Sequence, residues 1–295
     1  MTATAKRRSY DLAVIGSGGA AFAAAIRATN LGKRVVMIER GTIGGTCVNT
    51  GCVPSKALLA AAEARHVTLD AARFPGLPLP DAPPVDMPAM VAGKDKLVGS
   101  LRSEKYAALA AEYGWALHPG EATFVGTPTE PALRVTGPDG TAETVRAAHH
   151  LIATGSTPWA PPVPGLQEVG YLTSTTAMEL TEVPTSLLVL GGGYVALEQA
   201  QLFARLGSQV TVLVRSRLAS KEEPEVSKTL QEVFATEGIR VVRRALPTRV
   251  FRDATGQVVV TADVSGGAQE FRADQVLVAL GRRPVTDGLS LDTVG

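Results

Sequence analysis

The chain has 295 residues, 45% of them apolar and 19% charged, with 29 basic against 28 acidic side chains. A formal net charge of +1 lacks the basic surplus with which nucleic-acid binders release phosphate counterions. The 30 glycines and 19 prolines follow no repeat, which excludes a fibrous or low-complexity chain and leaves room for two ordinary domains.

The longest apolar stretch, Leu12 to Ile26, is shorter than the ~20 residues of a membrane-spanning helix and is interrupted by glycines. Arg7-Arg8 matches the start of a twin-arginine export signal. Asp11 and a Gly-rich turn follow at once without a cleavage site, so a cytoplasmic protein is expected.

In chain order, Tyr10 to Ile15 reads as a buried strand, Gly16 to Ala21 as a glycine turn, Ala21 to Leu31 as a helix stopped at Gly32, and Arg34 to Ile38 as a second strand ending at Glu39. A Pro-rich loop (Phe74 to Pro88) and a helix (Met90 to Tyr113) follow, then alternating strand-like segments up to His150 and a buried strand at Leu151 to Thr154. Thr157 to Gly165 is Pro-rich and reads as a linker. The first pattern then returns: strand Ser186 to Leu190, turn Gly191 to Ala196, helix Ala196 to Leu206, strand Gln209 to Val214. Gln275 to Leu280 is a last apolar strand, leading into Gly281-Arg282. The fold class is α/β with two Rossmann-like, three-layer dinucleotide-binding domains.

Each glycine turn sits between a strand and a helix, the context that gives the motif its mechanism. Gly16 permits the tight turn, Gly18 lets a pyrophosphate approach the backbone, and Ala21 keeps helix and strand close; Gly191 and Gly193 repeat the pattern. The strand ends separate the two ligands. Glu39 offers a carboxylate to ribose hydroxyls, as an FAD site requires. The matching position is Val214, followed by Arg215 and Arg217, whose guanidiniums suit the 2′-phosphate of NADPH.

The two cysteines, Cys47 and Cys52, are separated by four residues in GGTCVNTGCVPSK. The spacing suits a pair that alternates between disulfide and dithiol, or that holds a soft metal ion between two thiolates. A helix starting near Thr46 would favour the thiolate, and Lys56 adds a positive charge. The histidines His66, His118, His149 and His150 lack zinc-ligand spacing to the pair.

These residues resemble the pyridine-nucleotide disulfide oxidoreductases along the whole chain. GGTCVNTGCVPSK departs from the common pattern only at Thr50, where valine is usual, and LIATGSTP, LLVLGGGYVALEQAQLFARLGSQVTVL and LVALGRRP are similar to the other landmarks in their order. Within the family, VIGSGGAAFAAAIRA and PGLQEVGYLTSTTAMEL resemble the branch of mercuric reductases.

The resemblance implies electron flow from NADPH through FAD to the Cys47–Cys52 pair, with Cys52 as the flavin-contacting thiol and Cys47 as the outer one. In that branch both would hold the substrate Hg(II) as a thiolate complex while it is reduced to Hg(0), in mercury detoxification. The resemblance extends the flavin site to Gly19, Ala20, Arg40, Gly45, Thr46, Lys56, Thr154 and Gly155, and the NADPH site to Tyr194, Val195, Glu198, Gly281 and Arg282. Tyr194 would gate the nicotinamide and Tyr171 would stand beside the metal.

It also implies a homodimer for the full-length protein, and a further FAD-contacting segment and dimerisation domain beyond Gly295, so the chain is expected to be C-terminally truncated. The expected domains are 1–158 for FAD, 159–282 for NADPH, and 283–295 returning to the first. A dihydrolipoyl dehydrogenase, another NAD(P)H-dependent disulfide reductase, and an inactive FAD-binding piece remain the alternatives.

Overall fold

Strand β1 (Ser9–Ile15) carries Ala13, Val14 and Ile15, all buried, as a strand covered on both faces must. A computed structural model describes residues 9–77 and 84–295; Arg7-Arg8 and the centre of the Pro-rich loop lie outside them. The chain forms two units, one of residues 1–52, 98–157 and 283–295, the other of 53–97 and 158–282.

In the first unit β1 leads through the glycine turn into α1 (Gly19–Asn30), whose alanines favour helix and whose Ala21, Phe22 and Ala25 are buried. The helix ends where Gly32 turns left-handed, and β2 (Val35–Glu39) returns parallel to β1 with Ile15 opposite Ile38. Next come the short α2 (Gly45–Asn49) and α3 (Cys52–Asp70), a 19-residue helix that the sequence reading does not separate from α2.

The helix expected from Met90 starts at Met87 as α4 (Met87–Arg102), widens to a π-helix over Ser103–Ala107, and closes as α5 (Ala108–Glu112). The remaining strands are β3 (Ala116–Pro119), β4 (Glu121–Thr127), β5 (Glu130–Thr136) and β6 (Ala142–Ile152). The six strands form one sheet in the order β3-β2-β1-β6-β5-β4. The separate strand expected at Leu151 to Thr154 is instead the end of β6. That strand pairs antiparallel with β5 over Ala142 to Val145 and parallel with β1 from Arg146 onward.

Short β7 (Ser156–Pro158) ends the 98–157 stretch of the first unit and enters the second, where α6 (Leu166–Val169) and α7 (Ser174–Ala177) follow, the latter closed by a Thr173–Thr176 capping box. Strand β8 (Ser186–Leu190), α8 (Tyr194–Leu206) and β9 (Gln209–Val214) repeat the first motif, with Leu190 opposite Leu213. After α9 (Pro224–Thr236) and β10 (Arg240–Arg243), a separate antiparallel sheet of β11 (Leu246–Arg252), β12 (Val258–Val264) and β13 (Gly267–Ala273) intervenes before β14 (Gln275–Val278). The parallel sheet runs β10-β9-β8-β14.

Residues 53–97 fall in this second unit, where the sequence reading assigns them to the first. The reason is packing: Leu58, Ala62 and Met87 are buried in one cluster with Leu197, Phe203 and Phe234. No helix among the described residues is long and apolar enough to cross a membrane.

Candidate nucleotide and thiol site

Two parallel strands fix the first glycine turn. The Gly16 N–H bonds the Ile38 carbonyl at 2.8 Å, while Ala153 N–H bonds Ile15 O at 2.8 Å. Gly16 has φ 105°, and a Cβ there would stand 2.3 Å from Ala153 O, so only glycine fits. A Cβ on Gly18 would meet only Gly45 Cα, at 3.8 Å, and one on Gly19 would meet nothing within 4 Å. The backbone at the start of α1 is therefore open for a ligand to approach.

A cavity of about 540 Å³ lies in front of it. Its lining includes Gly16, Gly18, Gly19 and Ala20 from the turn, Glu39 and Arg40 from the end of β2, Gly45, Thr46 and Cys47 from α2, and Thr154 and Gly155 after β6. The structure thus gathers most of the flavin-site residues named from the sequence around one space. Ala21 is buried behind it. Val285, Asp287, Gly288 and Leu289 also line the cavity, and nothing in their local sequence announces this.

Glu39 is held in place by Ser17 Oγ, which donates to Oε2 at 2.5 Å, and by Gly41 N–H on Oε1 at 2.7 Å. Ser17 is 1% exposed and its hydroxyl also accepts the Gly44 N–H at 3.1 Å. Arg40 pairs with Glu121 at 3.3 Å across the rim.

The thiols follow from the same packing. Gly45 stands against Gly18, where a Cβ would come within 2.5 Å of Gly18 Cα, so the glycine turn and the start of α2 touch backbone to backbone. Cys47 is exposed on α2 and lines the cavity; Cys52 is exposed and opens α3. Asn49 Nδ2 ties this loop through the carbonyls of Ile43 and Gly45, both at 3.0 Å, and Arg102 Nη1 donates to Asn49 Oδ1 at 3.2 Å.

The sequence reading misses Tyr106, which sits in the π-helical turn and packs edge-on to Phe22 at 4.9 Å. Burial, with the charge of Cys47 as a second cause, raises its hydroxyl above the ordinary range. Among the described residues no three His, Cys, Asp or Glu side chains gather as a metal site, so a metal ion held by the pair would take two ligands from it. His118 pairs with Glu143, and His150 packs edge-on to Phe124 at 5.6 Å.

In the second unit the turn is built identically. Gly191 N–H bonds Leu213 O at 3.0 Å and Ala279 N–H bonds Leu190 O at 2.9 Å; Gly191 has φ 130°, with its Cβ position 2.4 Å from Ala279 O. A Cβ on Gly193 would meet nothing within 4 Å. Gly192, in the place of Ser17, packs on the β9 end, its Cβ position 2.8 Å from Val214 Cγ1. Arg215 is exposed. Arg217 is turned inward, with Nη2 donating to the carbonyl oxygens of Glu222 at 2.7 Å and Ser220 at 3.3 Å. Of the two arginines, Arg217 shapes the loop and Arg215 faces solvent.

Lys56 and Glu198, assigned separate roles from the sequence, pair at 2.6 Å, and Ser55 Oγ donates to the same carboxylate at 3.2 Å. Seven residues further along both helices, Arg205 pairs with Glu63 and, at 2.7 Å, with Glu237. Helices α3 and α8 are thus clasped twice. Tyr171 is half-buried against the apolar cluster of this unit and accepts from Gln167 Nε2 at 3.5 Å. Tyr194 and Val195 are exposed at the start of α8, while Gly281, whose carbonyl accepts the Trp159 N–H at 3.0 Å, and Arg282 lie outside the lining of the first-unit cavity.

Residues 10–295 match the family described as pyridine nucleotide-disulphide oxidoreductase. A mercuric reductase of Streptomyces lividans is 60% identical over 97% of this chain and 59% of its own length, and one of Lysinibacillus sphaericus is 44% identical over 97% and 51%. The chain therefore spans about half to three-fifths of the length of these relatives. Among solved structures, the HOCl-induced flavoprotein disulfide reductase RclA of Escherichia coli, in a Cu(II) complex, superposes with a TM-score of 0.81 at 27% identity, over 98% of this chain and 60% of that one.

Proposed function

The chain belongs to the pyridine nucleotide-disulphide oxidoreductases, and from that premise we propose that it is the nucleotide- and thiol-bearing part of an NADPH-dependent enzyme that reduces Hg(II) to Hg(0). The family implies FAD and a pyridine nucleotide as cofactors. The first cavity fits FAD: Gly18 and Gly19 leave the backbone on its floor open to a ligand, and Glu39 presents carboxylate oxygens at the end of β2. When bound there, FAD supplies the two-electron relay between nicotinamide and thiols.

The observation that carries the reading is the presence of Cys47 in the same cavity as the glycine turn, with Cys52 at the head of the next helix. Two electrons and two protons convert the Cys47–Cys52 disulfide to a dithiol. The two thiolates then displace the thiol ligands of an incoming Hg(II) complex, which leave protonated, and two further electrons from NADPH release Hg(0) and return both thiolates. Lys56, one helical turn after Cys52, carries the nearby positive charge, and Glu198 fixes its ammonium. Arg215 supports the choice of NADPH. A dimeric, cytoplasmic state is part of the same proposal for the whole protein.

NADPH oxidation measured with Hg(II) in excess low-molecular-weight thiol, against lipoamide and glutathione disulfide, tests this. Turnover with Hg(II) is expected, lost in Cys47→Ala and Cys52→Ala. Activity confined to an organic disulfide overturns the metal assignment and leaves the thiol relay standing.

A further inference from the structure

The helix that carries Cys47 cannot hold itself. α2 has five residues, far fewer than the ~12–15 an isolated helix needs, and its N-cap is Gly44, which has no side chain to cap it. Its shape is set from outside. At the start of the helix Ser17 and Gly18 grip Gly44 and Gly45. At the other end Asn49, the last residue of α2, turns its amide back along the loop. Nδ2 donates to the carbonyls of Ile43 and Gly45 at 3.0 Å each and to that of Thr42 at 3.3 Å. Both amide hydrogens are thereby committed, and the remaining polar atom, Oδ1, receives Arg102 Nη1 at 3.2 Å.

Arg102 is the last residue of α4, at the point where that helix widens. Four residues on, Tyr106 meets the same loop: its ring Cγ stands 3.4 Å from where a Gly44 Cβ would be. One element therefore touches the Cys47 helix at both ends, through Tyr106 at Gly44 and through Arg102 at Asn49.

We propose that Arg102 is a positioning residue for the thiols: acting through Asn49, it holds the Cys47 helix at the spacing from Cys52 that a bond between the two sulfurs requires. This rests on the reading of Cys47 and Cys52 as a redox pair. A disulfide tolerates only a narrow range of Cα and Cβ separations, and a loop already fixed within that range loses little freedom when the bond closes. The Arg102–Asn49 hydrogen bond involves neither sulfur, so it is kept as the pair cycles. Loosening the loop therefore costs the disulfide more than the open dithiol.

Equilibration of the 295-residue chain in dithiothreitol redox buffers, quenched by alkylation and read by mass, measures this. Cys47 and Cys52 are the only cysteines, so one intramolecular disulfide can form. Its S–S bond forms as two electrons and two protons pass to cyclic, oxidised dithiothreitol, which opens to the dithiol. Arg102→Met, which keeps the aliphatic stem, is expected to lower the equilibrium constant for disulfide formation about threefold to tenfold, the worth of one part-buried hydrogen bond. The contact is a single N–H bond rather than a bidentate one, so Arg102→Lys should stay within about twofold of wild type. Asn49→Ala should lower the constant at least as far as Arg102→Met, and combining the two should lower it no further. Arg102→Gln, too short to reach Asn49, gives the same reading if Arg102→Met does not fold.

A merely structural role would lower the Tm of the dithiol form and leave the exchange constant where it was. An unmoved constant in Arg102→Met or Arg102→Gln, or additive effects in the double variant, overturns the proposal and leaves the thiol relay standing. If the wild-type chain forms no disulfide in any of the buffers, the reading of a redox pair fails, and the positioning role with it.

Discussion

The two glycine turns share a skeleton and differ at one contact. In both, the turn glycine donates to the second strand and packs against the carbonyl of a third, with Gly16 against Ala153 and Gly191 against Ala279. In the first, Ser17 reaches Glu39 and anchors Gly44; in the second, Gly192 closes on Val214, and the charged groups, Arg215 and Arg217, come from the following loop. The shared part obeys backbone geometry and leaves the backbone open for a ligand. The part that differs is where, on the proposed function, the two riboses would be told apart.

The hardest way to break this comparison is at the shared glycine. Gly16→Ala and Gly191→Ala each combine a left-handed penalty of ~1–2 kcal/mol with a carbonyl collision that only backbone movement relieves. Gly16→Ala is expected to lose flavin, read by its visible absorbance, and Gly191→Ala to lose pyridine-nucleotide binding while staying yellow. Equal loss of both ligands in each variant would show that the two turns are not separate sites.

Next in size is an asymmetry: the second unit alone ties its helix to α3 through Arg205. Burial raises the Glu237 carboxyl, but the hydrogen bonds and charge of Arg205, with Gln201 and His66, outweigh it and hold it below the ordinary range. A carboxyl so depressed contributes stability above its unfolded value near ~4.3 that is lost as pH falls through its folded value. Arg205→Ala should cost about 3 kcal/mol near neutrality, by leaving Glu237 buried without its cation, and should flatten the acid side of a Tm-against-pH curve. A variant with an unchanged acid limb would assign that limb to other carboxylates.

The smallest effect sharpens the comparison most. Arg215→Glu should lower the preference for NADPH over NADH by ~1–3 kcal/mol, whereas Arg217→Ala should weaken both nucleotides alike, since its guanidinium holds loop carbonyls. Paired calorimetric titrations check it. A preference carried by Arg217 would reverse the assignment.

What the sequence disclosed follows the same division. Strand, turn, helix and the position of Glu39 were legible because positive φ and backbone contact leave glycine alone at Gly16 and Gly191, and because doubly covered strands are apolar throughout. The antiparallel sheet of β11 to β13 was not, since β11 alternates weakly and exposes Arg249 and Arg252. The membership of 53–97 in the second unit depends on which helix Leu58 and Ala62 meet, and the inward turn of Arg217 on which carbonyls lie within its reach. Neither has a local signature. Lys56 and Glu198 were both singled out, yet their pairing across α3 and α8 emerges only from the folded chain.

The Ser17 hydroxyl has one proton and a limited set of lone pairs, and both sides of it are already committed, to Glu39 on one side and to the Gly44 amide on the other. A sugar hydroxyl arriving at Glu39 therefore negotiates with the same oxygen that steadies the segment leading to Cys47. Adenosine nucleotides too short to carry a redox ring should already change deuterium uptake across 44–47, making the stiffness of the sulfur-bearing turn a report on whether the far end of the cavity is filled.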